Sequence, residues 1–162
     1  MDERLKSHEV PLAVDLDGTL IATDLLWESI FVLLKRNPLY LLLLPVWLLS
    51  GKANLKQQIA SRISFDVTLL PYRQDFLEYL QHQHASGRRL VLATAAAEPL
   101  AEAVAEELGI FEAVFATSGT TNLSSHRKAK ALTDQYGAKG FDYAGNDRAD
   151  LAVFAAAREA VV

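Results

Sequence analysis

Cysteine is absent from this 162-residue chain, which excludes disulfides and thiolate metal sites and fits a reducing compartment such as the cytosol. Positive charge is in short supply. Sixteen lysines and arginines face twenty acids, for a net charge of −4, so there is no basic excess with which to track a nucleic-acid backbone. The first residues, MDERLKSHEV, are charged and lack the pattern of a secretory signal. Long apolar runs are missing too: nothing approaches the roughly 18 to 20 residues that span a bilayer. The nearest stretch, PLYLLLLPVWLLSG at 38–51, is interrupted by Pro45. Internal repeats and low-complexity linkers are also absent. What remains is 51% apolar and 22% charged, a globular composition whose length suits one domain with room for a small insertion.

Along the chain, apolar runs alternate with helical patterns, the signature of a parallel sheet built from βαβ units. VPLAV (10–14), RRLVLAT (88–94), FEAVFAT (111–117) and GFDYAG (140–145) read as strands. Helices are expected over 72–87, 98–109, 126–137 and 149–159, the first three ending at Gly87, Gly109 and Gly137. The closing EAVV (159–162) reads as the start of a fifth strand. Residues 24–70 break the rhythm with two or three helices inserted after the first strand. Such an insertion lies at the carboxyl edge, where open α/β sheets bind ligands, and reads as a lid. The expected fold is therefore a doubly wound, Rossmann-like parallel sheet (10–23 and 71–162) with a small helical cap (24–70).

The stretch AVDLDGTLIATD (13–24) sets Asp15 and Asp17 one residue apart immediately after a strand. Two like charges and a glycine are costly there unless a cation compensates. Thr94 ends the second strand, Lys128 opens the helix after the third, and Asn146, Asp147 and Asp150 follow the fourth. A parallel sheet brings all of these to one edge. Each residue type has work to do in phosphoryl transfer. Asp15 can attack phosphorus to form an aspartyl-phosphate, and Asp17 can exchange protons with the leaving alkoxide and the attacking water. Thr94 and Lys128 can hold the transferred oxygens. Mg²⁺ needs only a few hard oxygens from the first and fourth strands. The four histidines (8, 82, 84 and 126) show no metal-ligand spacing, and His82 and His84 read as a solvated helix end.

In these motifs the chain resembles the haloacid dehalogenase superfamily of phosphohydrolases. DLDGTL, LVLATAA, Lys128 in RKAKAL, and YAGNDRADLAVF stand in the order of that superfamily's four motifs. The resemblance implies Asp15 as nucleophile, Asp17 as general acid and base, and Thr94 and Lys128 as phosphate ligands. It also implies Mg²⁺ at Asp15, Asp17 (through its carbonyl), Asn146 and Asp150. Asn146 departs from the usual acid and removes one negative charge, which Asp147 could supply from a different heading. Residues 23–60, with LPYR and LVLATAA, are in addition similar to the phosphatase-like domain fused ahead of UbiA-type membrane prenyltransferases. That implies a phosphorylated metabolite or a prenyl- or lipid-linked phosphate as substrate, and a native chain continuing beyond Val162 into a membrane part. The alternative is a non-catalytic or regulatory domain of such a prenyltransferase. A signalling receiver domain, which also uses Asp, Thr and Lys, places its phosphorylated Asp later in the chain and lacks a cap.

Between Ser29 and Phe65 there are five basic residues (Lys35, Arg36, Lys52, Lys56 and Arg62) and no acid. Removing those five charges from the net −4 leaves −9 on the rest of the chain. A helix apolar on every side needs burial on every side, which a cap of this size hardly provides. The expectation is contact through 38–51 with a membrane interface, a membrane domain or a second copy in a homodimer. The place implied is the cytoplasm, at the cytoplasmic face of a membrane.

Overall fold

The computed structural model describes residues 10–146 and 148–161. Five strands form one parallel sheet in the order β3-β2-β1-β4-β5. They are β1 (Leu12–Val14), β2 (Leu90–Ala97), β3 (Ala113–Thr117), β4 (Asp142–Ala144) and β5 (Ala160–Val161). The central strand β1 pairs Leu12 with Leu90 on one side and with Asp142 on the other. All three of its residues are fully buried, which explains why the strand reads as an unbroken apolar run. Leu12, Val14 and Leu92 face one core with Leu80, Leu100 and Val104, while Ala13, Val91 and Ala93 face another with Leu132, Phe141 and Val153. Both faces are thus covered by helices, and the sheet is doubly wound as expected.

Among the described residues, seven α-helices connect the strands. The insertion contributes α1 (Leu25–Arg36), α2 (Leu44–Leu49) and α3 (Lys52–Ala60), with short 3₁₀ turns at Pro38–Leu42 and Val67–Leu69. The sheet is flanked by α4 (Gln74–Ala85), α5 (Glu98–Leu108), α6 (His126–Tyr136) and α7 (Leu151–Ala156). Asp24 starts α1 by accepting from the Leu26 and Trp27 amides. Asn37 then ends that helix and caps the 3₁₀ turn through the Leu39 amide. Pro38 and Pro45, each in a first turn, divide the leucine-rich stretch into two short pieces. Among the described residues no helix is long and apolar enough to cross a membrane. The insertion has its own small core of Leu33, Trp47, Leu55 and Ile59.

Most elements are a residue or two shorter than expected at their ends, and two boundaries differ for a reason that the structure shows. The second strand runs to Ala97 rather than Thr94, because its ladder with β3 shifts register after Ala93 and resumes at Ala97 opposite Thr117. The last helix stops at Ala156 instead of reaching 159. There the Arg158 amide donates to the Phe141 carbonyl at 2.7 Å, and its guanidinium joins Arg88 on the fully buried Asp142. Those bonds draw the chain into β5 one turn early.

Candidate active site

The carboxyl ends of β1, β2 and β4 surround a cavity of about 190 Å³. Lys128, almost wholly buried on α6, donates from Nζ to Asp15 Oδ1 (2.8 Å), Asp150 Oδ1 (3.0 Å) and the Tyr143 hydroxyl (2.9 Å). All three protons of the ammonium are therefore used. An ion cluster this dry needs such complete satisfaction, since removing any partner strands a buried charge. Burial pushes the Asp15 carboxyl up to about 6, with Lys128 opposing and Asp150 reinforcing the rise. Burial and the charge of its neighbours also hold the Tyr143 hydroxyl protonated, far above its ordinary value.

Asp17 lines the same cavity, two residues further on. Its Oδ1 accepts from the Leu25 amide at 2.7 Å, which ties the acid to the first turn of α1. Burial raises its carboxyl to about 7; the Leu25 amide resists, while Asp24 and Asp15 add to the rise. Gly18 then turns the chain with φ +73°, a conformation that disfavours any side chain. A Cβ at Gly18 would lie 2.6 Å from the Asn146 amide nitrogen, so glycine also clears space for the fourth-strand loop.

Thr94 is fully buried and does not itself line the cavity; its hydroxyl oxygen accepts from the Ala96 amide at 3.0 Å. That bond satisfies an amide freed by the register shift and leaves the hydroxyl proton to be given elsewhere. Ala95, Ala96 and Ala97 form the wall above it. Asn146 is exposed and engaged with the first loop. Its amide donates to the Gly18 carbonyl (2.8 Å), and its oxygen accepts from the Thr19 hydroxyl (3.3 Å). Asp15, Asp17, Lys128 and Asp150 are thus brought together around one cavity, whereas Thr94 and Asn146 are not among its lining residues. His8 and Asp147 lie outside the described residues.

A divalent cation fits this donor set. Asp150 Oδ2 is buried without a hydrogen-bond partner, an unused acceptor of the kind that a cation satisfies. A Cβ at Gly145 would lie 2.9 Å from that oxygen, so only glycine leaves it room. Four acids (Asp15, Asp17, Asp24 and Asp150) line the cavity against two lysines, an imbalance that a further positive charge would offset. Among the described residues no three acidic or histidine side chains could enclose a metal by themselves. The set would need neutral oxygens such as the Asp17 carbonyl and the Asn146 amide.

Several lining groups were not foreseen as site residues. Lys56, projecting from α3, donates to the Ala95 carbonyl and to Asn122 Oδ1 (2.9 Å). Burial lowers its ammonium below the usual lysine range. The sequence reading counts Lys56 only as one of the insertion's positive charges, and its residue type gives no sign that it turns inward. Beside it, Gln57 donates to the Thr117 carbonyl at 3.1 Å. Leu25, Leu26, Ile59 and Leu100 complete the walls, so a charged floor meets apolar sides.

A family model for haloacid dehalogenase-like hydrolases matches residues 12–158. The uncharacterized protein y4nM of Sinorhizobium fredii is 37% identical over 156 residues, covering 96% of this chain but 30% of that protein. The chain therefore spans less than a third of this relative's length. Among solved structures, a HAD family hydrolase of Salmonella enterica serovar Typhi superposes with TM-score 0.66 at 14% identity, over 91% of this chain and 59% of that one. A phosphoserine phosphatase in apo form gives 0.63 at 13%, over 94% and 86%. A predicted phosphoglycolate phosphatase of Haemophilus somnus gives 0.62 at 16%, over 94% and 83%. At these identities the superpositions speak for the fold.

Proposed function

We propose that this chain, which belongs to the haloacid dehalogenase-like hydrolase family, is a Mg²⁺-dependent phosphomonoester hydrolase working through an aspartyl-phosphate. The observation that carries this reading is the convergence of Asp15, Lys128 and Asp150 in one buried cluster, with Asp17 in the same cavity. The Asp15 carboxylate attacks phosphorus, and the bond from phosphorus to the ester oxygen breaks. Asp17 gives its proton to the departing alkoxide, then takes one from the water that attacks the aspartyl-phosphate. That second step releases inorganic phosphate and frees Asp15. A carboxyl held near 7 suits both halves of this exchange at neutral pH.

Lys128 keeps Asp15 in place and, with Thr94 and the amides following it, offsets charge on the transferring oxygens. Asp15, the Asp17 carbonyl, Asn146 and Asp150 would hold Mg²⁺, which neutralises phosphoryl charge when bound. Residues 24–70 serve as the cap. The apolar walls suit a phosphorylated metabolite or a prenyl- or lipid-linked phosphate whose alcohol portion carries little charge.

The test is phosphate release from p-nitrophenyl phosphate with and without Mg²⁺, beside Asp15→Asn. Mg²⁺-dependent turnover that falls by about a thousandfold or more in the variant supports the reading. One observation favours a second reading, a non-catalytic or regulatory domain of a UbiA-type prenyltransferase. Asn146 spends its side chain on Gly18 and Thr19 instead of on the cavity. Absent turnover, together with Mg²⁺-dependent turnover in Asn146→Asp, would support that alternative.

A further inference from the structure

The segment between α1 and α3 turns its large apolar side chains outward. Leu39, Leu41, Leu42, Leu43, Val46, Leu48 and Leu49 are all exposed, Leu42 at 73% and Leu49 at 88%, and within 39–49 only Trp47 is buried. Soluble monomers seldom show so continuous an apolar face unless something covers it. The charges around it are of one sign. Lys35 and Arg36 close α1 just before the run, and Lys52 opens α3 just after it; all three are exposed. Arg36 is anchored by donating to the Arg62 carbonyl at 2.8 Å, and Arg62 lies 4.8 Å above the Trp47 ring. The face is thus framed by cations held at its edges, with no acid from Ser29 to Phe65.

We propose that this face docks on the surface of an anionic lipid bilayer. Leucines entering the boundary between headgroups and acyl chains, with lysines and arginines at headgroup level, match the anatomy of interfacial binding. A second copy of the chain fits less well. A two-fold interface would bring the cations of both copies to one seam, with no acid between Ser29 and Phe65 to pair them. The pieces are also too short to span, the longer being the six-residue α2, so contact is with the surface. The inference stands independently of catalysis, since none of these residues lines the cavity.

The test is co-sedimentation of the chain with vesicles rich in phosphatidylglycerol and, separately, with pure phosphatidylcholine. Sedimentation is expected with the first, weakened strongly by added salt. Leu42→Asp with Leu49→Asp should abolish it, and Lys35→Gln with Lys52→Gln should weaken it about thirtyfold. Asp15→Asn should leave it unchanged. These surface changes should preserve circular dichroism and the unfolding midpoint, which separates lost docking from lost folding. The proposal is overturned if the chain stays in the supernatant with anionic vesicles, or if the leucine substitutions leave sedimentation intact. It is equally overturned if light scattering finds a dimer that Leu42→Asp splits.

Discussion

The sheet and the insertion distribute the same residue types in opposite ways. Around the sheet, leucines and valines are inside, and the charges that join them are matched: Lys128 against Asp15 and Asp150, Asp142 against Arg88 and Arg158. In residues 24–70 half of the leucines lie outside, while polar groups such as Lys56 and Gln57 point inward to the sheet's carboxyl edge. Of the large apolar side chains that are strongly exposed among the described residues, all but Leu151 belong to that stretch. The sheet therefore stabilises itself by burial, whereas the insertion adds a four-residue core of its own and joins the sheet's core only near its two ends, through Leu25, Val67 and Leu70. One chain carries a part that encloses its apolar side chains and a part that leaves many of them outside.

The sharpest way to break this contrast is to unbalance the buried cluster. Lys128→Met leaves Asp15 and Asp150 enclosed without a cation and should cost about 3–5 kcal/mol in urea unfolding at pH 8. The loss should shrink at pH 5, where Asp15 takes up a proton. Next comes an ordinary core deletion: Leu92→Ala should cost about 2–5 kcal/mol by the same measurement. A smaller effect comes from Asp17, whose carboxyl binds its proton more tightly folded than unfolded. The stability it contributes is complete below the ordinary aspartate value of 3.8 and is lost as pH rises through about 7. In metal-free buffer the protein should therefore be more stable at pH 5 than at pH 8. Asp17→Asn should remove on the order of 2 kcal/mol of that difference, allowing for screening at a partly exposed group. Smallest of all, Leu42→Ser should shift the unfolding midpoint by no more than about 0.5 kcal/mol equivalent. A large effect there would mean that the insertion's leucines support the fold after all.

Much of the sheet is visible in the sequence because a strand buried on both faces must be apolar throughout, and VPLAV and LVLAT have few other readings. Asp15 and Asp17 stand out for a related reason, since acids directly after such a strand need compensation, while Asp150, six residues beyond β4, is found only by its place in the fourth motif. Lys56 is invisible because nothing local distinguishes a lysine that bridges to Ala95 and Asn122 from one in water. Only the packing of α3 over the ends of β2 and β3 decides it. Tyr143 is hidden in the same way, reading as a strand aromatic until Lys128 is placed beside its hydroxyl. The end of α7 depends on Asp142, nine residues before the helix that it shortens, and helical periodicity carries no trace of that partner.

Lys56 has a consequence for ligand binding. It belongs to the insertion, yet it supplies one of the two positive charges of the cavity. Any outward swing of α3 must break its bonds to Ala95 and Asn122 and carry that charge away. An anion would meet both lysines only with α3 seated on the sheet, so part of the charge that would hold it comes from the insertion.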